Sequence, residues 1–443
     1  MVSRYGSTRT TRLLTLPFVL SLSLSTLARA QGATSVAEPA RLSLDQVLEY
    51  AREHAPGREV IDKELGHVRA RRQGADVLLS DNPELALSLG PRFGGGAGTD
   101  FDFSVGLEQR VGISGERGRR KALVAEFERR LQAERAVYFW DLRQDIRLAY
   151  RSSVHKESLL VIEERAAAFA AELVHVTERR VSAGEATTID LHVVRADALH
   201  AEQGRLAAEN AAKDARLELA ALAGFPLETP PWPERGFLTP APVPPVDALL
   251  RTTESQHPEL ARQDALVAEA HAEVALLDRQ ARIKPALGVE LSREGSAGSP
   301  ANYIVLGTLG VPLPVFQRAQ GARAEQRVDE EVAQAERERK RRILRAQVVR
   351  AHAELSSAER QLALFREGML PELEQGLELI ERGYRAGELD VLRVALLRDR
   401  LLLVERDVVL AHAEYERRLI LLEVAVGSLW PSGAGAQTPG GAR

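Results

Sequence analysis

Leu85-Ala86-Leu87-Ser88-Leu89 alternates apolar with small or polar residues, and 202 positions later Leu287-Gly288-Val289-Glu290-Leu291 does so again. A period of two sends alternate side chains to opposite faces of a strand. Each run is followed by a return strand of the same pattern: Phe101, Phe103, Val105 and Leu107 in the first case, Tyr303 to Val311 in the second. Two β-hairpins are expected, 84–109 and 286–311, each with one apolar and one polar face. The offset reaches well beyond them. Pro56 and Pro258, and Pro83 and Pro285, stand 202 apart, while Gly184 and Gly387, and Gly224 and Gly427, stand 203 apart. The chain therefore reads as two copies of one unit.

The rest of each copy carries a helical period. Phe139, Ile146, Ser153, Leu160, Ala167, Val174 and Val181 are seven apart, as are Val394, Leu401, Val408, Tyr415 and Leu422. A strict seven-residue repeat underwinds helices into a left-handed coiled coil. Leu396, Leu403 and Leu410 add a second apolar row on one helix, which suits a closed ring of helices better than an isolated pair. Long helices are expected at 118–182, 187–223, 318–385 and 389–426. At ~1.5 Å per residue the longest would reach roughly 100 Å. The copies span 31–225 and 247–428. Between them, 226–246 holds eight Pro from 226 to 245, a density that forbids helix and favours an extended path. Residues 429–443, rich in Gly, Ala and Pro, read as a disordered tail.

Composition removes several functions. Lys plus Arg number 59 against 63 Asp plus Glu, without the basic surplus of a nucleic-acid binder. Cysteine is absent, which excludes disulfides, thiolate metal sites and Cys lipidation. Arg4, Arg9 and Arg12, the apolar run Leu13–Leu27 and Ala28-Arg29-Ala30 form a signal peptide over 1–30, so the mature chain is expected to begin at Gln31 and to be exported. No later stretch offers eighteen consecutive apolar residues, so no transmembrane helix is expected.

No catalytic, cofactor or metal site emerges. Gly112, Gly115 and Gly118 are followed by no Lys-Ser/Thr and lie in no βαβ unit, so they read as the exit from a strand into a helix. The ten His are scattered, and Met1 and Met369 are the only Met, which leaves a soft-metal relay unsupported. Val181-Ser182-Ala183-Gly184-Glu185 and Gly383-Tyr384-Arg385-Ala386-Gly387-Glu388 place Gly where a helix ends and reverses. The hairpins allow two readings, a small soluble sheet packed on helices or a membrane sheet. Four strands cannot close a membrane barrel, whereas three copies supply twelve.

The doubled plan, opened by Leu42-Ser43-Leu44-Asp45-Gln46-Val47-Leu48, resembles TolC-like outer membrane efflux proteins. Within them, Val311-Pro312-Leu313-Pro314-Val315-Phe316-Gln317-Arg318-Ala319-Gln320-Gly321 is similar to the corresponding stretch of the heavy-metal, CzcC-type branch. The resemblance implies a mainly α fold with a small β part: a homotrimeric α-helical barrel of coiled-coil helices joined to a 12-stranded β-barrel in the outer membrane. It further implies a channel that performs no chemistry, docks a periplasmic adaptor and works with an inner-membrane pump, of the proton-driven RND type. Gly184, Glu185, Gly387 and Glu388 would be the adaptor-docking tips. In this family acidic residues past the tips line a periplasmic aperture; Asp190 fits that pattern, while Arg393 and Leu396 depart from it. An Asp190–Arg393 pair would then hold the tunnel shut. A soluble periplasmic coiled-coil adaptor or scaffold is the alternative.

Overall fold

The computed structural model describes residues 41–93, 99–296, 299–385 and 391–429. The expected signal peptide, nearly all of the expected tail, and Gly387 and Glu388 lie outside the described residues.

The first copy runs β1 (Arg41–Leu42), α1 (Leu44–His54), α2 (Arg58–Glu64), α3 (Gly66–Asp76), β2 (Glu84–Phe93), β3 (Thr99–Arg110), α4 (Glu116–Ser182) and α5 (Thr188–Ala223). After β4 (Trp232–Pro233) the second copy supplies α6 (Val246–Gln256), α7 (Pro258–Gln280), β5 (Ala286–Ser296), β6 (Ser299–Gly310), α8 (Gln320–Ala363), a π-helical segment (Leu364–Met369), α9 (Leu370–Arg385) and α10 (Val391–Val426). Helix α4 alone is 67 residues long, about 100 Å of rod. None of the helices among the described residues is long and apolar enough to cross a membrane.

The heptad residues do the packing. Ile146 and Ser153 on α4, and Tyr415 and Leu422 on α10, are buried, and the other described members of both rows are at least half-buried. Equivalent cores form in the two copies. Val47, Ile146, Leu219 and Ala223 share one, while Leu249, Val348, Leu422 and Val426 occupy the matching places in the other. In each, the last helix is pinned against the start of its own copy. Gly224 has φ +83°, and a Cβ there would lie 2.1 Å from the His54 carbonyl oxygen. Gly427 has φ +75° and would meet His257 Cα at 2.7 Å. Only glycine combines left-handed torsion with such close approach.

One expected helix differs. Residues 318–385 read as a single rod, but the turns from Leu364 to Met369 are π-helical. The cause is Pro371, which has no N–H and whose ring displaces the carbonyl four residues earlier. The wider turn, with the Leu370 N–H bonded to the Phe365 carbonyl, absorbs the clash.

The Pro-rich connection is extended and threaded back into the fold. Its β4 pairs in parallel with β1, Arg41 opposite Trp232 and Leu42 opposite Pro233. The Tyr150 hydroxyl fastens the crossing to α4: it donates to the Leu42 carbonyl at 2.9 Å and accepts from the Glu234 N–H at 3.0 Å. Glu157 on the same helix takes Arg41 at 2.6 Å and Arg235 at 3.2 Å. Arg216 stacks on the Trp232 ring at 3.7 Å.

The hairpins join into one antiparallel sheet of order β2-β3-β5-β6. Leu107 lies opposite both Leu85 and Val289, and Leu291 opposite both Val105 and Val305. This register carries the period-two pattern of each strand across the whole sheet.

Candidate functional site

The sheet has one apolar and one polar face. Leu85, Leu87 and Leu89 share a face with Phe101, Phe103, Val105 and Leu107, with Leu287, Val289 and Leu291, and with Tyr303, Val305 and Leu309. Glu84, Ser88, Asp102, Ser104, Glu108, Glu290, Ser292 and Thr308 lie on the other, which Ile304 and Leu306 interrupt. None of the described helices covers the apolar face: Leu89 is 72 % exposed, Val305 69 % and Leu309 67 %. Soluble chains bury such a surface or bind something with it. Among the described residues the edges β2 and β6 are also unpaired. Among the described residues the sheet is therefore not packed on helices through this face.

Along α4 from the sheet, the turn to α5 is built by local chemistry. Gly184 takes φ +79°. Its N–H bonds the Val181 carbonyl at 3.0 Å and the Glu185 N–H bonds that of Arg180 at 2.8 Å, the paired arrangement that closes a helix with a left-handed glycine. A Cβ on Gly184 would meet nothing within 4 Å, so torsion rather than space requires glycine. Glu185 is exposed beside it.

Asp190 belongs to the start of α5. Its carboxylate accepts the Thr187 N–H at 2.9 Å and the Thr187 hydroxyl at 2.8 Å, and the Asp190 N–H returns to that hydroxyl at 3.2 Å. This reciprocal cap satisfies donors the helix cannot, and its hydrogen bonds hold the Asp190 carboxyl below the usual carboxylate range. Thr187-Thr188-Ile189-Asp190 carries the spacing of such a cap in the sequence itself. Arg393 lies in the first turn of α10. Leu396 is exposed and lines a cleft of about 840 Å³ with Leu173, Val193, Val194 and Asp197. The chain thus places Leu396 alongside α4 and α5.

A buried charged cluster between the copies was not anticipated. Glu416 and Glu423 on α10 are fully buried. Glu423 pairs with Arg147 at 2.5 Å, and Glu416 lies 3.0 Å from His155 Nε2 and 3.8 Å from Arg151. Glu416 also accepts the Leu238 N–H of the Pro-rich connection. The ring of Phe237 is stacked between His155 and His412, with centroids 5.6 and 4.6 Å away. The signal was present: both acids directly follow heptad positions, Tyr415 and Leu422. Among the described residues no group of three or more His, Cys, Asp or Glu could hold a metal ion.

Residues 249–428 match the family model of the outer membrane efflux protein. None of the curated proteins is significantly similar to the sequence. Solved structures share the fold. The outer-membrane channel OprN superimposes with a TM-score of 0.68 at 16 % identity, covering 87 % of this chain and 90 % of that one. CusC gives 0.66 at 14 %, covering 90 % and 96 %. VceC, from Vibrio cholerae, gives 0.65 at 16 %, covering 87 % and 96 %.

Proposed function

We propose that three copies of this chain close into one passive duct of a tripartite efflux system, which carries substrate from the periplasm to the outside. The observation that carries this reading is the uncovered apolar sheet with two unpaired edges. Open edges are not tolerated in hydrocarbon, four strands are too few for a barrel, and an eight-stranded dimer would be filled by its own side chains. The helices supply a second argument. One seam of α10 is covered within the chain, whereas Leu396, Leu403 and Leu410 remain exposed along the cleft beside α4 and α5, which leaves room for a neighbouring copy. We assign the chain no catalytic step. Membrane fractionation and native mass spectrometry test the proposal, with an SDS-sensitive trimer expected in the outer membrane. A soluble periplasmic monomer would overturn it.

The tips Gly184-Glu185 and Gly387-Glu388 are assigned to a periplasmic adaptor, which couples the duct to an inner-membrane pump of the proton-driven type. Gly184→Val and Gly387→Val should abolish adaptor cross-linking and efflux while trimers still form; unchanged efflux in both ends the assignment. Arg393 and Leu396, with Asp190, are assigned to the closed aperture. Arg393→Ala should raise single-channel conductance, and it is the cleaner arm because Asp190→Ala also removes the α5 cap. The strand-exit motif 311–321 supports heavy-metal cations as cargo. A deletion strain more sensitive to organic compounds than to metals would reverse that reading.

A further inference from the structure

The apolar stripe that faces the membrane is too short within the sheet itself. On β3 it runs from Phe101 to Leu107 and on β6 from Tyr303 to Leu309, six residue steps each. At about 3.3 Å per residue that is ~20 Å of strand, or roughly 15 Å along the membrane normal at a tilt of ~40°. The apolar band of an outer-membrane barrel is ~25 Å tall.

The missing length lies past the strand ends, in both copies. The alternation continues through Val111 and Ile113 after β3 and through Val311 and Leu313 after β6, and then reaches Val315 and Phe316. The two stretches correspond at the same offset of 202, Val111 to Leu313 and Ile113 to Val315. The first remains tied to the sheet, because the Val111 N–H donates to the Pro285 carbonyl at 2.8 Å. In the second, Pro312 and Pro314 hold the chain extended, until the Val315 N–H bonds the Leu313 carbonyl at 2.9 Å and turns it. Counting to Ile113 and to Leu313, the stripes lengthen to roughly 30 and 25 Å along the normal.

These side chains are bare in the chain: Ile113 is 72 % exposed, Leu313 75 % and Phe316 88 %. Polar residues on this face are tied to the backbone: Gln109 turns its amide to the carbonyls of Asp81 and Arg110, both at 2.8 Å, and Arg293, opposite Phe103, donates to the Phe101 carbonyl at 3.2 Å. Exposed cations follow each stretch within a few residues, Arg117 and Arg119 after the first and Arg318 after the second. Arg318 donates to the Pro314 carbonyl. An apolar stretch ending in Arg suits the boundary between acyl chains and headgroup phosphates.

We propose that the two strand exits, Val111–Ser114 and Val311–Phe316, are seated among phospholipids of the periplasmic leaflet and form the lower rim of the membrane-facing band. The proposal rests on the barrel reading above. Continuity with the lipid-facing stripe selects lipid as the occupant, rather than a neighbouring copy.

The chain has no cysteine, so Phe316→Cys and Ile113→Cys each create a unique site for an environment-sensitive fluorophore. Leu309→Cys, on the sheet's apolar face, is the control. The labelled full-length protein is reconstituted in phosphatidylethanolamine–phosphatidylglycerol vesicles containing lipids with a nitroxide quencher at a shallow or a deep position. Labels at 316 and 113 should lose most of their emission to the shallow quencher, and the label at 309 to the deep one. If 309 is quenched while 316 and 113 are not, the exits are covered by a neighbouring copy or lie in water, and the proposal falls while the barrel stands. If 309 is unquenched as well, the barrel reading fails and takes the proposal with it.

Discussion

The two copies begin from matching sequence plans and end in different surroundings. In the first, α5 packs along α4, and its position equivalent to Glu423 is the buried Ala220. In the second, α10 packs against both α8 and the first copy's α4. There Glu416 and Glu423 meet Arg147, Arg151 and His155. The long helices differ likewise: α4 is unbroken for 67 residues, whereas its counterpart is divided by the π-helical turns before Pro371. The two copies thus share equivalent cores, and the second adds the buried acids that meet the first.

That comparison is open to attack at several points. The largest effect is expected from Glu423→Ala, which makes the copies alike at one position but leaves Arg147 buried beside a vacancy. Removing one partner of a buried ion pair costs about 3–5 kcal/mol. The melting temperature of the detergent-solubilised protein should fall steeply, and a change no larger than that of an exposed pair such as Arg52–Glu49 would show that the cluster does not join the copies.

Helix continuity comes next. Ala168 stands in α4 where Pro371 stands in the second copy. Ala168→Pro should cost about 3 kcal/mol unless α4 can form its own π turn. Pro371→Ala should return residues 364–370 to regular α-helix, read as slower amide hydrogen exchange there. Unchanged exchange would mean that something other than the proline sets the π turn.

A smaller effect belongs to the tip. Thr187→Ala removes the reciprocal cap with Asp190 and should cost about 1 kcal/mol, seen as faster exchange in the first turn of α5. Equal protection in the variant would show the cap to be dispensable.

The smallest effect separates two equivalent histidines. His257 is buried and its Nδ1 accepts the Glu259 N–H at 3.1 Å, whereas His54 is exposed with its Nδ1 3.0 Å from the Tyr50 carbonyl. Burial pushes the His257 imidazole below the ordinary histidine value, with Glu259 opposing. The folded state therefore binds this proton less readily than the unfolded chain. The stability involved is present above about pH 6.5 and is lost as pH falls toward the lowered folded pKa. Cooling of the melting temperature between pH 7 and 5 should shrink in His257→Asn, whose side chain can still cap, and should persist in His54→Asn. Identical pH profiles in both variants would remove His257 from the account.

Much of this was legible in the residues. Strict alternation marked both hairpins, because a strand has only two faces. The seven-residue rows marked helices that must bury a seam, and the offset of 202 to 203 marked the duplication. Gly184 announced its turn because only glycine rests easily in left-handed torsion. Hidden from the sequence were matters of who meets whom. That Glu416 and Glu423 are buried depends on arginines some 270 residues earlier in the chain. That Trp232 pairs with Arg41 depends on the path of a proline-rich strand with no pattern of its own. The uncovered state of the apolar sheet was likewise a tertiary fact. Alternation says only that one face is apolar, and the packing of every available helix decides whether anything in the chain is left to cover it.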